Sequence, residues 1–177
     1  MDIVVGMYFV LIVFVMILFG FKVTQMMVVS SRVEDALAAS NLASALIDLE
    51  EYGKSHRVII REPENAFVVF REALCQNLQL DEELNASGSD LIDAFKISEY
   101  RVYNVYDDAV EVYIINEKGV LQEQYSGRIG EIVTPDGVTV NSTTIYSKVS
   151  FETDGIAGFN IQAGKEKSID IVRCEDE

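Results

Sequence analysis

The pattern of apolar and polar residues divides the chain into three regions, of which the first has no polar face. From Ile3 to Phe21 the sequence contains 19 residues without a charge, and apolar residues occur on every side of a helix drawn through them. Such a helix would be roughly 28 Å long, about the hydrocarbon thickness of a bilayer. The pattern predicts a transmembrane helix over residues 1–22. A cleaved signal peptide, the alternative, has a shorter apolar run that follows a basic segment.

The second region continues the helical pattern with one polar face. There is no proline between Val23 and Tyr52, and the first glycine after Gly20 is Gly53. Residues 23–53 are therefore predicted to be an amphipathic continuation of the same helix, which would end at Gly53. Its total length would be about 50 residues, or roughly 75 Å. The predicted apolar stripe comprises Val33, Leu37, Leu42, Ala45, Leu46 and Leu49.

Small residues are concentrated between Ala36 and Ala45. Small side chains allow a helix to approach its neighbour closely. One interpretation is that this stretch packs against the protein's own sheet, and the other is that it forms a helix–helix contact in an assembly. The candidate packing residues are Ala36, Leu37, Ala39, Leu42, Ala45 and Leu46.

The third region, residues 54–177, is predicted to be a globular α+β head. A short strand is expected at Val58–Ile60, and a second helix is expected to start at Glu62–Glu64, with Pro63 in its first turn, and to run through Leu80. Two turn sequences, Asn116–Gly119 and Thr134–Gly137, separate runs rich in Val, Ile and Tyr. The order of elements predicts helices on one face of an antiparallel sheet. The predicted strands are Ile97–Tyr106, Val110–Ile115, Val120–Ser126, Ile129–Val133, Val138–Val140, Ile145–Phe151, Gly158–Gln162 and Ser168–Arg173.

The charge lies entirely outside the apolar region. The net charge is −15 and the pI is about 4.4, and residues 1–31 contribute one acid and one base. An acidic protein of this kind is not expected to bind nucleic acid, which requires a basic surface. It is equally unsuited to binding anionic lipid through a basic patch. The aromatic and β-branched residues supply a core, which argues against intrinsic disorder.

Motifs for chemistry are absent from the sequence. His56 is the only histidine, and no nucleophile or acid is organised beside it in the sequence. Two cysteines and one histidine cannot supply four typical zinc ligands. The acidic pair Asp107–Asp108 and the tail Glu175–Glu177 lack the spacing of a calcium loop, so they are interpreted as solvated charges. We therefore expect a non-enzymatic protein without a cofactor or a metal.

The two cysteines leave two possibilities open. Cys75 lies on the predicted second helix, and Cys174 follows the last predicted strand. In an oxidising compartment they could form a disulfide that closes a long loop, for which chain entropy predicts about 4–5 kcal/mol of stabilisation. The alternative is two unpaired thiols, of which Cys75 would be buried in the helix face.

The charges that flank the apolar segment predict on which side of the membrane the head lies. Lys22 and Arg32 follow the apolar segment, and no basic residue precedes it. Taken literally, the positive-inside rule places the head in the cytoplasm. Removal of a basic leader before Met1 would reverse this expectation.

The layout and three stretches of sequence resemble those of type IV pilin-like proteins. The apolar half-helix, its amphipathic continuation and the β-rich head follow the pilin order. Val33–Ala45, Ile145–Phe151 and Glu166–Asp170 are similar to the TadE-like minor pilins of tight-adherence (Tad) systems, in their Gram-positive anaerobe-type variants. Pilins usually carry a glutamate at the fifth mature position; here Val5 occupies it, and the nearest acid is Asp2.

The resemblance implies a structural subunit of a cell-surface pilus or secretion filament. It implies a single-pass protein of the bacterial envelope with an extracytoplasmic head, whose partners are the membrane, further pilin subunits including its own copies, and the pilus assembly machinery. Asp2 would be the acid that guides assembly. The side chains implied to pack in the membrane or filament core are Ile3, Val4, Val5, Tyr8, Phe9, Leu11, Phe14, Leu18 and Phe21.

Two other functions remain open at this stage. One is a membrane-anchored accessory protein of a secretion or conjugation apparatus that does not polymerise. The other is an anchored enzyme or sensor domain, which would need a cleft of polar groups in the folded head.

Overall fold

The computed structural model describes residues 2–86, 92, 94–154 and 160–172. Three helices come first, and the first of them is by far the longest. Five strands follow, so the architecture is α+β, as the order of elements predicts. The helices are α1 (Asp2–Ala43), α2 (Leu49–Ser55) and α3 (Pro63–Leu78), and the strands are β1 (Ala94–Tyr106), β2 (Ala109–Ile115), β3 (Leu121–Arg128), β4 (Thr143–Asp154) and β5 (Asn160–Ile171).

Helix α1 ends ten residues earlier than the sequence pattern predicts, at Ala43 instead of Gly53. Two contacts explain the break. Ile47 forms an isolated β-bridge with Ile60, which requires extended backbone, and the Asp48 carboxylate accepts hydrogen bonds from the N–H groups of Glu50 and Glu51. Asp48 therefore caps a new helix, α2, whose start carries the Asp-x-x-Glu pattern of a capping box.

The sheet has the strand order β3-β2-β1-β4-β5, and every neighbouring pair is antiparallel. The turn predicted at Asn116–Gly119 joins β2 to β3, with Gly119 at φ +78°. The second helix is confirmed as α3, which has Pro63 in its first turn. The strand expected at Val58–Ile60 is reduced to the single bridge of Ile60.

Two of the predicted strands are not strands. Residues 129–142 form a crossover segment that connects β3, at one edge of the sheet, to β4 on the far side of β1. Both predicted strands, Ile129–Val133 and Val138–Val140, lie in this segment. It contains only the isolated bridge Val133–Thr139. Val140 is buried against the outer face of the sheet, and Ile129 and Ile132 are partly buried there, whereas Val133 and Val138 are exposed. The two predicted strands Gly158–Gln162 and Ser168–Arg173 merge into β5, although Gly158 and Arg173 lie outside the described residues.

The sheet has apolar residues on both faces. The larger core lies between the sheet and the helices, where Phe67 and Phe70 of α3 pack on Tyr100 of β1 with ring centroids 5.5 and 4.9 Å apart. The smaller core lies under the crossover segment. There Ile132 packs on Gly127 so closely that a Cβ at this glycine would approach within 2.6 Å of the Ile132 side chain.

Asp136 fixes the crossover segment to β5. Its carboxylate accepts hydrogen bonds from the Ser168 hydroxyl at 2.6 Å, from the Ser168 N–H at 3.1 Å and from the Thr134 hydroxyl at 2.5 Å. Burial raises the pKa of the Asp136 carboxyl, but the hydrogen bonds that Ser168 and Thr134 donate lower it further, so the net pKa lies below its ordinary value.

We expect Asp136→Asn to lower the free energy of unfolding by about 1–3 kcal/mol at neutral pH, because the amide nitrogen that replaces one carboxylate oxygen cannot accept a hydrogen bond from Ser168 or Thr134. A depressed folded-state pKa stabilises the fold above the unfolded-state pKa, and this contribution is lost as pH falls through the folded-state value. The difference between wild type and variant should therefore shrink below about pH 4. Denaturant titration of the full chain in detergent measures it. Asp108→Asn, at an exposed turn, is the matched control, and an equal loss there would contradict the assignment.

Candidate membrane anchor and helix docking surface

No other described part of the chain covers the amino-terminal half of α1. The helix is the only one in the described part of the chain that is long and apolar enough to span a membrane, and the side chains of its most apolar window are not buried. Most of the side chains implied to pack in a membrane or filament core are more than half exposed: Val4, Val5, Tyr8, Phe9, Leu11, Phe14, Leu18 and Phe21. Asp2 and Ile3 lie in the same helix, and their side chains fall outside the described residues.

A surface of this kind is not stable in water. Contiguous apolar patches on soluble proteins rarely exceed a few hundred square ångströms, and larger ones mark contacts with protein or membrane. Because α1 is apolar on all sides through residue 21, a contact along one stripe would leave the other sides exposed to water. The segment is therefore compatible with an environment that surrounds it, such as a bilayer or a bundle of similar helices.

The carboxyl-terminal half of α1 is docked on the head. Between residues 29 and 37, the side chains of α1 that face the head are apolar and buried: Val29, Val33, Ala36 and Leu37. Ala36 and Leu37 of the small-residue stretch are therefore part of the core that α1 shares with the head. Ala45, which follows the helix, is half-buried.

Beyond Leu37 the predicted stripe is buried only in part. Its residues Leu42, Leu46 and Leu49 are exposed, as is the packing candidate Ala39, and their role in an assembly stays a prediction. Two physical reasons account for the difference. The helix ends at Ala43, so helical spacing no longer applies to the later leucines. The buried face is continued by three polar residues: Ser40 and Asn41 within the helix, and Ser44 directly after it.

Asn41 and Ser44 make specific contacts with the sheet, whereas Ser40 Oγ accepts a hydrogen bond from Asn77 of α3. The Asn41 amide Nδ2 donates to the backbone carbonyl of Lys167 in β5 at 3.0 Å. The Tyr100 hydroxyl donates to Ser44 Oγ at 2.9 Å, and Ser44 Oγ donates to the Asn41 carbonyl at 2.8 Å. Burial raises the pKa of Tyr100, which keeps its hydroxyl protonated as a donor. Hydrophobic patterning could not have found these residues, because they occupy core positions with polar side chains.

Glu34, nearer the amino terminus of α1 than these polar residues, adds an ionic contact with β5. Its carboxylate lies 3.2 Å from Lys165 Nζ and 3.4 Å from Lys167 Nζ, both in β5. Hydrogen bonds from Lys165 and Lys167, with their positive charge, lower the pKa of Glu34. Because Glu34 meets Lys165 and Asn41 meets Lys167, residue numbers rise in the same direction along α1 and β5. The helix and this edge strand therefore run in the same sense, and contacts of Glu34 and Asn41 join them.

The titratable groups on the outer face of the sheet contact one another. The Tyr146 hydroxyl donates to Glu166 Oε2 at 2.8 Å, and Lys148 Nζ lies 3.1 Å from the same carboxylate. Burial raises the pKa of Tyr146, as does Glu166, whereas the hydrogen bonds from Tyr146 and Lys148 lower the pKa of Glu166. These shifts stabilise a protonated phenol and an ionised carboxylate, which together link β4 to β5.

The histidine and the cysteines singled out in the sequence are the remaining candidates for chemistry. The backbone N–H of His56 donates to the Tyr52 carbonyl at 2.9 Å, and His56 ends α2 in a left-handed conformation. The half-buried Cys75 has its sulfur 3.4 Å from the Asp81 carbonyl oxygen, and burial raises the pKa of this thiol. Cys174 lies outside the described residues, so the disulfide stays a prediction. Within the described ranges, no group of three His, Cys, Asp or Glu residues could hold a metal ion.

Comparisons with known proteins give no relative: no family model, no curated protein and no solved structure matches the chain.

We expect Asn41→Ala to loosen the docked half of α1. The change removes the amide that binds the Lys167 carbonyl inside a buried contact, which costs about 1–3 kcal/mol. Amide hydrogen exchange of the full chain in detergent should accelerate over residues 29–43. Unchanged exchange there would contradict a role for Asn41 in docking.

Glu34→Gln should act more weakly, by about 0.2–1 kcal/mol, because the ion pairs are partly exposed. Its effect should be present above the unfolded-state pKa and disappear as pH falls through the lowered folded-state pKa. Asp35→Asn, an exposed carboxylate on the next residue, is the matched control.

Proposed function

We propose that the protein is a non-enzymatic structural subunit of a bacterial cell-surface pilus or secretion filament. The observation that carries the proposal is the division of α1 into an uncovered apolar half and a half that is fixed to an acidic α+β head. The uncovered half anchors the subunit in the membrane before assembly. It then packs with the same segment of neighbouring copies and of other pilin subunits, while the head faces outward.

Energetics support this use of the helix. Full burial of an apolar side chain contributes about 1.5–3 kcal/mol, so the exposed residues between Val4 and Phe21 supply ample free energy for either environment. Bilayer and filament core are nearly equivalent solvents for such a segment, which makes exchange between them possible at low cost. The acidic surface of the head keeps the outside soluble.

The first test places a charge in the centre of the exposed segment. Val13→Asp should abolish filament incorporation, because an aspartate at the centre of a membrane helix costs about 2.5–3.5 kcal/mol. The matched control is Val133→Asp, since Val133 is an exposed valine of the head. Normal filaments from the Val13→Asp variant would refute the proposal. Antibody against the head, applied to material sheared from intact cells, measures incorporation.

Asp2→Ala separates anchoring from assembly. If Asp2 guides docking of subunits, the variant should remain in the membrane fraction and be absent from sheared filaments.

Gold labelling of the sheared material distinguishes the alternative function. Label along filaments indicates a major subunit, and sparse or tip label indicates a minor one. Wild-type protein that is confined to membranes would instead identify an anchored accessory protein of a secretion or conjugation apparatus, with the head on the side that protease accessibility reports.

A further inference from the structure

The turn between the crossover segment and β4 carries the sequence pattern of an acceptor for N-linked sugars. Asn141-Ser142-Thr143 has an asparagine followed two residues later by a hydroxyl residue, and the residue between them is not proline. Asn141 is exposed, whereas Val140 before it and Thr143 after it are buried. The asparagine is therefore held at the surface by buried residues on both sides, and the surface is where a bulky, soluble glycan fits.

Neither backbone geometry nor hydrogen bonding accounts for an asparagine at position 141. Asparagine is common in turns because its side chain bonds to nearby backbone and because it tolerates positive φ. Asn116 shows the first use, since its Oδ1 accepts from the N–H groups of Lys118 and Val120. Within the described ranges, the Asn141 side chain has no hydrogen bond or ion pair, and its φ is not positive. The amide is thus available to carry a substituent.

Asn85-Ala86-Ser87 has the same pattern, but the Asn85 side chain holds its own turn. Asn85 Nδ2 donates to Asp81 Oδ2 at 3.1 Å, and the Asn85 N–H donates to Asp81 Oδ1 at 2.7 Å. This structural role explains the asparagine at position 85. The pattern at Asn141 is the one that the fold leaves unexplained.

In the folded head, the hydroxyl of the pattern is enclosed. Thr143 is 3% exposed, and its Oγ1 donates to the Val58 carbonyl and accepts from the Val105 N–H at 3.2 Å. An oligosaccharyltransferase reads this hydroxyl together with the asparagine, which is why the pattern requires serine or threonine. The pattern can therefore be read only before β4 joins the sheet.

Asn141 lies at the end of the head that is remote from the uncovered half of α1. The nearby Thr143 pairs with Ile171, the last residue of β5. Strand β5 runs in the same sense as α1, and Asn41, near the end of α1, already contacts Lys167. Ile171 lies further on in this sense, so a glycan at Asn141 would point away from a bilayer or a core of packed helices.

We propose that Asn141 is N-glycosylated while the chain is exported, before β4 pairs in the sheet. The donor is an oligosaccharide that is joined through pyrophosphate to a membrane lipid. Asn141 Nδ2 forms a bond to the anomeric carbon of the first sugar, and the bond from that carbon to the pyrophosphate oxygen breaks. The lipid pyrophosphate leaves with the electron pair, and a base of the transferase takes one amide proton. This inference rests on the extracytoplasmic head of the proposed function.

Mass spectrometry of the full chain, purified from its own cells, tests the site. The peptide that contains Asn141 should carry the added mass of an oligosaccharide, and fragmentation that retains the sugar should locate it on this asparagine. Asn141→Gln should lose the added mass, because glutamine does not form the pattern. Ser142→Ala is the matched control: it preserves the pattern and should keep the glycan.

The enclosed hydroxyl of Thr143 sets the order of events, which a second experiment tests. Chain that is synthesised without membranes and folded in detergent should gain no glycan from envelope membranes that contain the transferase and its lipid-linked donor. Chain that is synthesised in the presence of these membranes should be modified at Asn141. Equal modification of the folded chain would overturn transfer before folding.

The results separate this inference from the proposed function. An unmodified Asn141 on a head that protease cleaves from outside in spheroplasts would overturn the glycan alone. A sugar located on Ser142 or Thr143 would overturn it as well, because the linkage would then be to a hydroxyl oxygen. A head that is protected from this protease would overturn the proposed function, and the glycosylation site with it.

Discussion

A single helix has to satisfy two environments, and this constraint shapes the rest of the structure. Up to residue 21 the helix is apolar on all sides and uncovered, whereas from Val29 onward one face is buried in the head. Because the backbone is helical without interruption from Asp2 to Ala43, the two halves cannot reorient independently. The position of the head relative to any surrounding membrane or filament is therefore set by the docking of residues 29–44.

Docking combines two kinds of interaction that act differently. The apolar contacts of Val33 and Leu37 supply most of the stabilisation but little directional preference. The hydrogen bond from Asn41 to the Lys167 carbonyl and the one from Tyr100 to Ser44 require particular atoms to meet. A shift of α1 along its axis by one turn would break both hydrogen bonds. The polar contacts at residues 41–44 therefore fix the axial position of the helix, which the apolar contacts of Val33 and Leu37 leave variable.

Most of the fold could be predicted from the sequence because its signals are local. Alternation of apolar and polar residues predicts β1, β2 and β4, and Pro63 marks the start of α3. The run of uncharged residues predicts the exposed half of α1. The errors arose where distant contacts decide. Ile47 leaves the helical pattern because it pairs with Ile60, and the short apolar runs around Ile132 and Val140 pack on the sheet instead of extending it. The docking residues Ser40, Asn41 and Ser44 carry no hydrophobic signal, so their burial depends on partners that only the folded chain brings close.

The contacts between α1 and β5 have a mechanical consequence. Part of a pull along the helix axis would reach the head through the contacts of Glu34 and Asn41 with β5. Strand β5 is held to β4 over twelve residue pairs from Thr143–Ile171 to Asp154–Asn160. Tension applied along a strand loads its hydrogen bonds together in shear, whereas tension across it would open them one after another. The component of such a pull that lies along β5 would therefore load the hydrogen bonds between β4 and β5 together.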